Sequence, residues 1–257
     1  MTEKMIKVGN DTLWADDSGD GPPLVLVHPG VGDSRVWDPI LPELLRKYRV
    51  IRYDARGFGR SPAPTERFVR LDDLIAVLDH FGVDRAPVVG CSMGGDAALG
   101  LTITRPERVS ALVLLCPGIS GFPVPETDPA VRDAYAAAEK EGFDAIVEVS
   151  LSVWARAGRT PEVVDLLRSG VRGWMAEEDW ELPNPEVFDR LGEIAVPTSL
   201  LVGDLDVAWI VDAARQAATR IPGVEFVEVP GVDHLPSVRV PERVLELIEA
   251  TVKRSAG

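Results

Sequence analysis

Between an apolar run, Ala86-Pro87-Val88-Val89, and a small-residue run, Gly95-Asp96-Ala97-Ala98-Leu99-Gly100-Leu101, the chain places Gly90-Cys91-Ser92-Met93-Gly94. The first run predicts a short buried strand and the second a helix start. A serine with glycines two before and two after, on a strand-to-helix turn, has the pattern G-x-S-x-G. So tight a turn leaves no room for β-carbons at Gly90 and Gly94. The strain lifts Ser92 Oγ clear of the sheet edge, and the helix N-terminus beneath it favours developing negative charge. Five residues can recur by chance, so the rest of the chain has to supply a base, an acid and oxyanion donors.

The surroundings of this turn follow one rhythm. Residues 4–8 and 11–16 predict an antiparallel hairpin around Gly9-Asn10. Leu24-Val25-Leu26-Val27 is continuously apolar, as a strand buried on both faces would be, and runs into the loop His28-Pro29-Gly30-Val31-Gly32-Asp33-Ser34. A helix is expected over about 37–47, a strand over 48–54, an amphipathic helix over 67–81 and a strand over 109–115. Strands alternating with helices imply right-handed crossovers and a mostly parallel sheet covered on both faces. The alternation fails from Gly118 to about Ala195, where no strong strand is predicted. There a Pro-rich loop precedes helical patterns at about 130–141, 143–156, 161–176 and 185–193. It resumes with a strand at 198–202, a helix at 209–220, a strand at 224–229 and a last helix at 239–253.

With 257 residues, 46% of them hydrophobic, the chain has ample material for one large α/β core carrying an insertion. Its formal charge of −14 argues against nucleic acid or an anionic membrane surface as a general partner. Two cysteines, Cys91 and Cys116, end apolar runs and read as small core residues rather than a disulfide framework or metal ligands. The N-terminal residues show no apolar signal core, and no run approaches a membrane span, so a cytoplasmic protein is expected. No phosphate-binding loop or dinucleotide fingerprint is present, and no cofactor or metal is expected.

Ligands of open parallel sheets bind beyond the carboxyl ends of the strands. Four loops leave such ends with useful chemistry: 28–34, 90–94, 203–206 and 231–235. A serine hydroxyl needs an adjacent base to act as a nucleophile. Of three histidines, His80 ends the 67–81 helix and His28 reads as a brace for the first glycine loop. His234, in a turn after the last strand, is the natural base. The carboxylate that orients it is Asp204 or Asp206; Asp233, its immediate neighbour, is a weaker candidate because adjacent loop side chains diverge. Oxyanion donors are expected from the backbone N–H of Met93 and from the 28–34 loop near Gly30.

The motifs Val27-His28-Pro29-Gly30, Tyr53-Asp54-Ala55-Arg56-Gly57-Phe58-Gly59-Arg60-Ser61, Gly90-Cys91-Ser92-Met93-Gly94-Gly95, Gly203-Asp204-Leu205-Asp206 and Gly231-Val232-Asp233-His234 come in one order. Together they resemble the α/β-hydrolase fold superfamily, in its cap-bearing, esterase- and lactonase-like group. The resemblance spans nearly the whole chain. It implies a mostly parallel eight-stranded sheet flanked by helices, with a core of residues 1–117 and 196–257 and a helical cap at 118–195. It selects Asp206 over Asp204, because the family places its acid three residues after the glycine. It puts one oxyanion donor at Gly30, although Pro29 stands where glycine is usual, which leaves Val31 open as the donor.

Caps of this kind line the substrate pocket, and aromatic residues suit such walls. Trp154 and Trp174 in the insertion, Trp209 after the acid turn and Trp37 after the oxyanion loop are the lining candidates. The expected chemistry is cleavage of a small carboxylic ester or lactone through an acyl-enzyme on Ser92. Carbon–carbon bond hydrolysis, cofactor-free perhydrolysis and a ligand-binding receptor with a vestigial site are the alternatives. A monomer or homodimer acting on a small molecule is expected.

Overall fold

The computed structural model describes residues 2–126, 128–177 and 179–255. The apolar run after the Pro22-Pro23 break forms β3 (Pro23–Val27), which lies inside an eight-stranded sheet. The strands are β1 (Thr2–Val8), β2 (Asp11–Ser18), β3, β4 (Arg49–Tyr53), β6 (Ala86–Cys91), β7 (Val109–Leu115), β9 (Thr198–Gly203) and β10 (Glu225–Val229). Their spatial order is β1-β2-β4-β3-β6-β7-β9-β10. β2 pairs antiparallel with β1 and with β4; every other neighbouring pair is parallel. This is the mostly parallel eight-stranded sheet flanked by helices that the motif order implied.

The chain steps from β3 outward to β4 and then returns to β6 on the other side of β3. Strand order therefore reverses at β3, and the register Val27↔Gly90 brings the ends of β3 and β6 side by side. A crevice at such a reversal is where open α/β sheets bind ligands. Helices α2 (Arg70–His80), α3 (Met93–Thr104), α7 (Ala208–Arg220) and α9 (Pro241–Arg254) cover the two faces, over separate hydrophobic clusters.

Two expected helices take another form. The 37–47 stretch becomes a 3-10 turn at Ser34–Trp37 and a short α1 (Leu41–Leu45), with Pro39 and Pro42 withdrawing N–H donors from any continuous helix. The last expected helix, 239–253, is α9, preceded by a short α8 (Pro236–Arg239). Residues 188–193 are 3-10 rather than α.

Between β7 and β9 lie α4 (Pro129–Glu141), α5 (Phe143–Trp154) and α6 (Pro161–Glu177). A two-residue strand, β8 (Glu181–Leu182), follows and pairs parallel with β5 (Phe68–Val69). So short a pair leaves no readable periodicity in sequence. Among the described residues, no helix is long and apolar enough to cross a membrane.

α6 is seated hard against the core. A β-carbon on Gly170 would lie 2.6 Å from the carbonyl oxygen of Gly30 and 2.7 Å from the carbonyl carbon of Val31. One turn on, Gly173 leaves room for the Phe58 ring. At the head of this contact Asp33 is buried. Burial would raise its carboxyl, but hydrogen bonds from Arg35 and Ser169 outweigh that and bring it down to about 2.

At the other end of α6, the buried Arg70 guanidinium meets Glu177 at 2.5 Å and Glu181 at 2.6 Å. Burial, only partly offset by Arg70, pushes the Glu177 carboxyl up to about 7. Its folded pKa is raised above that of the unfolded chain, so the protonated form favours folding. Its contribution is full below pH 4.5 and is lost as pH rises through about 7.

Two tests follow from this seating. Gly170→Ala should lower the thermal midpoint by several degrees, on an overpacking cost of about 1–3 kcal/mol. Gly192→Ala, where no heavy atom comes nearer than 3.8 Å, should leave it unchanged. Separately, Glu177→Gln should flatten the fall in thermal midpoint between pH 5 and pH 8, as followed by circular dichroism. Parallel pH profiles for the two proteins would remove Glu177 from that account.

Candidate active site

Ser92 has φ 51° and ψ −116°, one of two non-glycine residues with positive φ among those described. No β-carbon could be added at Gly94 without meeting the Val27 carbonyl oxygen, nor at Gly90 without meeting that of Gly94. The sheet edge therefore holds the turn in its strained form. Backbone bonds complete it: Ser92 N–H donates to the Leu115 carbonyl at 3.0 Å, and the Ser92 carbonyl accepts from Asp96 N–H at 3.0 Å and Gly118 N–H at 2.9 Å. Ser92 stands at the N-terminus of α3, where the helix dipole favours negative charge.

From the far side of the sheet come two turns joined to each other. Asp204 N–H donates to the Val229 carbonyl at 3.2 Å and Leu205 N–H to that of Val232 at 3.0 Å. Exposed Asp204 accepts from Gly231 N–H at 2.6 Å. This leaves Asp206, buried, to face His234. Its two oxygens lie 2.7 and 2.9 Å from His234 Nδ1, and Oδ1 also accepts from Val207 N–H at 2.6 Å. His234 Nε2 is 2.7 Å from Ser92 Oγ. A carboxylate can only accept, so the network assigns the proton to Nδ1 and leaves Nε2 to accept from the serine hydroxyl. The structure thus brings Ser92, His234 and Asp206 into one chain of hydrogen bonds.

Gly30 and Met93 lie beside each other: a β-carbon on Gly30 would be 3.5 Å from Met93 Sδ and 3.0 Å from Trp174 Nε1. His28 braces this loop from beneath. Its Nε2 accepts from Ala55 N–H at 2.9 Å and its Nδ1 lies 2.8 Å from the Pro29 carbonyl oxygen. Burial lowers the His28 pKa against the upward pull of Asp54, so the ring is neutral and serves as a scaffold. His80 ends α2 at the surface.

The four tryptophans divide. The Trp154 ring lies 4.6 Å from the His234 ring. Trp174 reaches the oxyanion loop and also walls a cavity of about 650 Å³ between α4 and α6, together with Tyr135, Ile146 and Glu177. Trp209 is half-buried and packs on the hydrophobic cluster of one sheet face. Trp37 does not line a pocket: it is fully buried in the opposite cluster with Leu24, Leu26, Ile40 and Leu44. The 3-10 turn that replaces the expected helix start directs its indole inward.

Three further residues surround the site; the sequence reading singles out Cys116 as a core residue and Asp233 as the weaker acid candidate, and passes over Asp96. Asp96, in the first turn of α3, accepts from Ser120 N–H at 2.6 Å, Ser120 Oγ at 2.8 Å and Asn184 Nδ2 at 2.8 Å, tying the loop after β7 to the elbow helix. Asp233 turns away from the triad to Arg239, 2.8 Å away. Cys116, at φ 45°, is the third, buried beneath the acid. Among the described residues, the Cys116, Asp206 and His234 donor atoms converge within 4.8 Å. Burial and the Asp206 charge hold the Cys116 thiol well above its ordinary pKa, and His234 Nδ1 is engaged by Asp206. The cluster therefore offers a cation neither a thiolate nor a free imidazole lone pair at that nitrogen.

A family model described as alpha/beta hydrolase fold matches residues 22–147. Over 117 residues the chain is 42% identical to a 2-hydroxymuconate semialdehyde hydrolase of Pseudomonas sp. (strain CF600), a match covering 43% of this chain and 41% of that relative. It is 26% identical to a 3-oxoadipate enol-lactonase of Acinetobacter baylyi over 95% of this chain and 97% of the relative. Among solved structures it is similar to a thermophilic esterase from Thermogutta terrifontis, with a TM-score of 0.76 and 27% identity over 99% and 98% of the two chains.

Proposed function

The chain belongs to the α/β-hydrolase fold superfamily, and from that premise we propose that it is a serine hydrolase of small carboxylic esters or lactones, working through an acyl-enzyme on Ser92. The observation that carries this reading is the bond chain from Ser92 Oγ through His234 to Asp206, with a 2.7 Å separation between Oγ and Nε2.

In the first half-reaction His234 Nε2 takes the hydroxyl proton as Oγ attacks the substrate carbonyl carbon. Asp206 holds the ring in the tautomer that can accept, and stabilises the imidazolium that forms. The carbonyl oxygen becomes an oxyanion, for which the backbone N–H of Met93 and a donor at Gly30 are the proposed partners. The α3 N-terminus adds a favourable field there. His234 then gives its proton to the leaving alkoxide. For a lactone, that alkoxide stays tethered to the acyl group. In the second half-reaction the same imidazole activates water, which attacks the acyl carbonyl and restores Ser92.

The segment 118–195 acts in this reading as a cap. It supplies Trp154 and Trp174 as walls against the base and the oxyanion loop. The 42% match to a semialdehyde hydrolase, over part of the chain, favours carbon–carbon bond hydrolysis as the second reading.

A panel of aryl esters, lactones and vinylogous diketones separates the two. Turnover of esters and lactones is expected, and Ser92→Ala should lower it by roughly four to six orders of magnitude. Turnover of the diketones alone would move the assignment to the second reading; a Ser92→Ala protein as active as the parent would end both. Asp206→Asn should cost about 10⁴-fold in kcat, Asp204→Asn less than about tenfold, and the reverse order would exchange their roles.

A further inference from the structure

Asp233 is fully buried one residue before His234, yet takes no part in the bond chain. Its carboxylate accepts from Arg239 Nε at 3.1 and 3.2 Å and Nη2 at 2.8 Å, from Leu235 N–H at 3.2 Å and from Ala157 N–H at 2.9 Å. Arg239 Nη2 also donates to the Gly158 carbonyl at 2.6 Å. This one ion pair therefore holds three segments: the His234 turn, the end of α8, and the turn that leaves α5. Trp154 is the last residue of α5, three before Ala157. Its ring sits 4.6 Å from the His234 ring at an interplanar angle of 50°.

We propose that Asp233, Arg239 and Trp154 form a positioning unit for the base: the ion pair clamps the end of α5 so that the Trp154 ring stays against His234 and favours its imidazolium. The inference rests on the reading of His234 as the base. An aromatic ring within about 6 Å attracts a cation and does little for a neutral ring, so it stabilises the state that His234 enters as Ser92 attacks. The opposite flank of α5 is braced as well. Tyr135 O–H donates to Ser150 Oγ at 3.2 Å, and Ser150 Oγ donates to the Ile146 carbonyl at 2.8 Å.

The other groups that face His234 leave this effect legible. From the acid turn comes Asp206, bonded to Nδ1. The end of β7 contributes the Cys116 thiol, neutral because burial and Asp206 raise its pKa. The elbow presents Ser92. Behind Trp154 stands Tyr135, whose phenol burial also raises. Asp233 and Arg239 cancel each other's charge.

The test is the pH profile of kcat/KM on an aryl ester. Trp154→Leu should move the acid limb down by about half a pH unit and lower kcat several-fold with little change in KM. Trp154→Phe should keep the limb near its original place. The charge-neutral pair Asp233→Asn with Arg239→Gln should shift the limb the same way by less. Added to Trp154→Leu it should shift it no further, since both act through one ring. If that pair does not fold, Arg239→Lys, which keeps the charge, takes its place with the same expected direction. A limb that stays put in Trp154→Leu overturns the proposal. So does a pair, or its Lys substitute, that lowers the melting temperature and leaves the limb in place. Loss of all turnover in Ser92→Ala alongside unmoved limbs would sink this inference alone; survival of turnover in Ser92→Ala would sink the reading beneath it.

Discussion

The contact on which the site depends is the approach of Gly94 to the end of β3. A β-carbon there would strike the Val27 carbonyl oxygen. Because none exists, α3 can start beside β3 while β6 still pairs with it through Val27↔Gly90. The elbow is pressed into a conformation that Ser92 would not choose, with φ 51°. The strain persists because strands buried on both sides over-determine the turn. The same contact sets the Gly30 loop and Met93, the residue after Ser92, next to each other. In the proposed mechanism, nucleophile and oxyanion site are thus one feature of backbone packing.

The inserted segment touches three elements of the candidate site at separate points. Trp174 reaches Gly30, Trp154 reaches His234, and Asn184 reaches Asp96 on the elbow helix. Gly170 lets α6 lie on the oxyanion loop, and Arg70 with Glu177 and Glu181 ties its far end to α2. These contacts mix close backbone packing with ion pairs. The inserted segment and the candidate site are therefore in direct contact, and a change in the seat of α6 reaches the Gly30 loop.

What could be read before any coordinates was what local chemistry dictates. Ser92 stands in a spaced glycine pattern, the histidines number three, and buried strands are continuous apolar runs. Each signal is short-range, so each survives in one dimension. Asp206 is different: residues alone left Asp204 and Asp206 open, and only the family spacing chose between them. Trp37 was misplaced because its distance from the oxyanion loop is clear in sequence but its direction depends on a 3-10 turn created by prolines that follow it. β5 and β8 were missed because two residues carry no period. The Asp233–Arg239 pair joins a histidine turn to a helix end some 80 residues earlier, and no local pattern marks such a bond.

The two aspartates of the acid turn show how alignment is divided between backbone and side chain. Asp204 is exposed and spends its carboxylate on Gly231 N–H; Asp206 is buried and spends its own on His234. A backbone rung on each side, from Asp204 N–H to Val229 and from Leu205 N–H to Val232, joins the turns in register independently of the side chains. The imidazole has two torsions to order, and its ring is then gripped from three directions by Asp206, Ser92 and Trp154. With the turns already joined, that ordering takes place within a fixed frame, and the entropy to be overcome is that of one side chain rather than of two loops. As the proposed base, an imidazole held this way needs little reorganisation when its charge changes, the property electrostatic preorganisation requires.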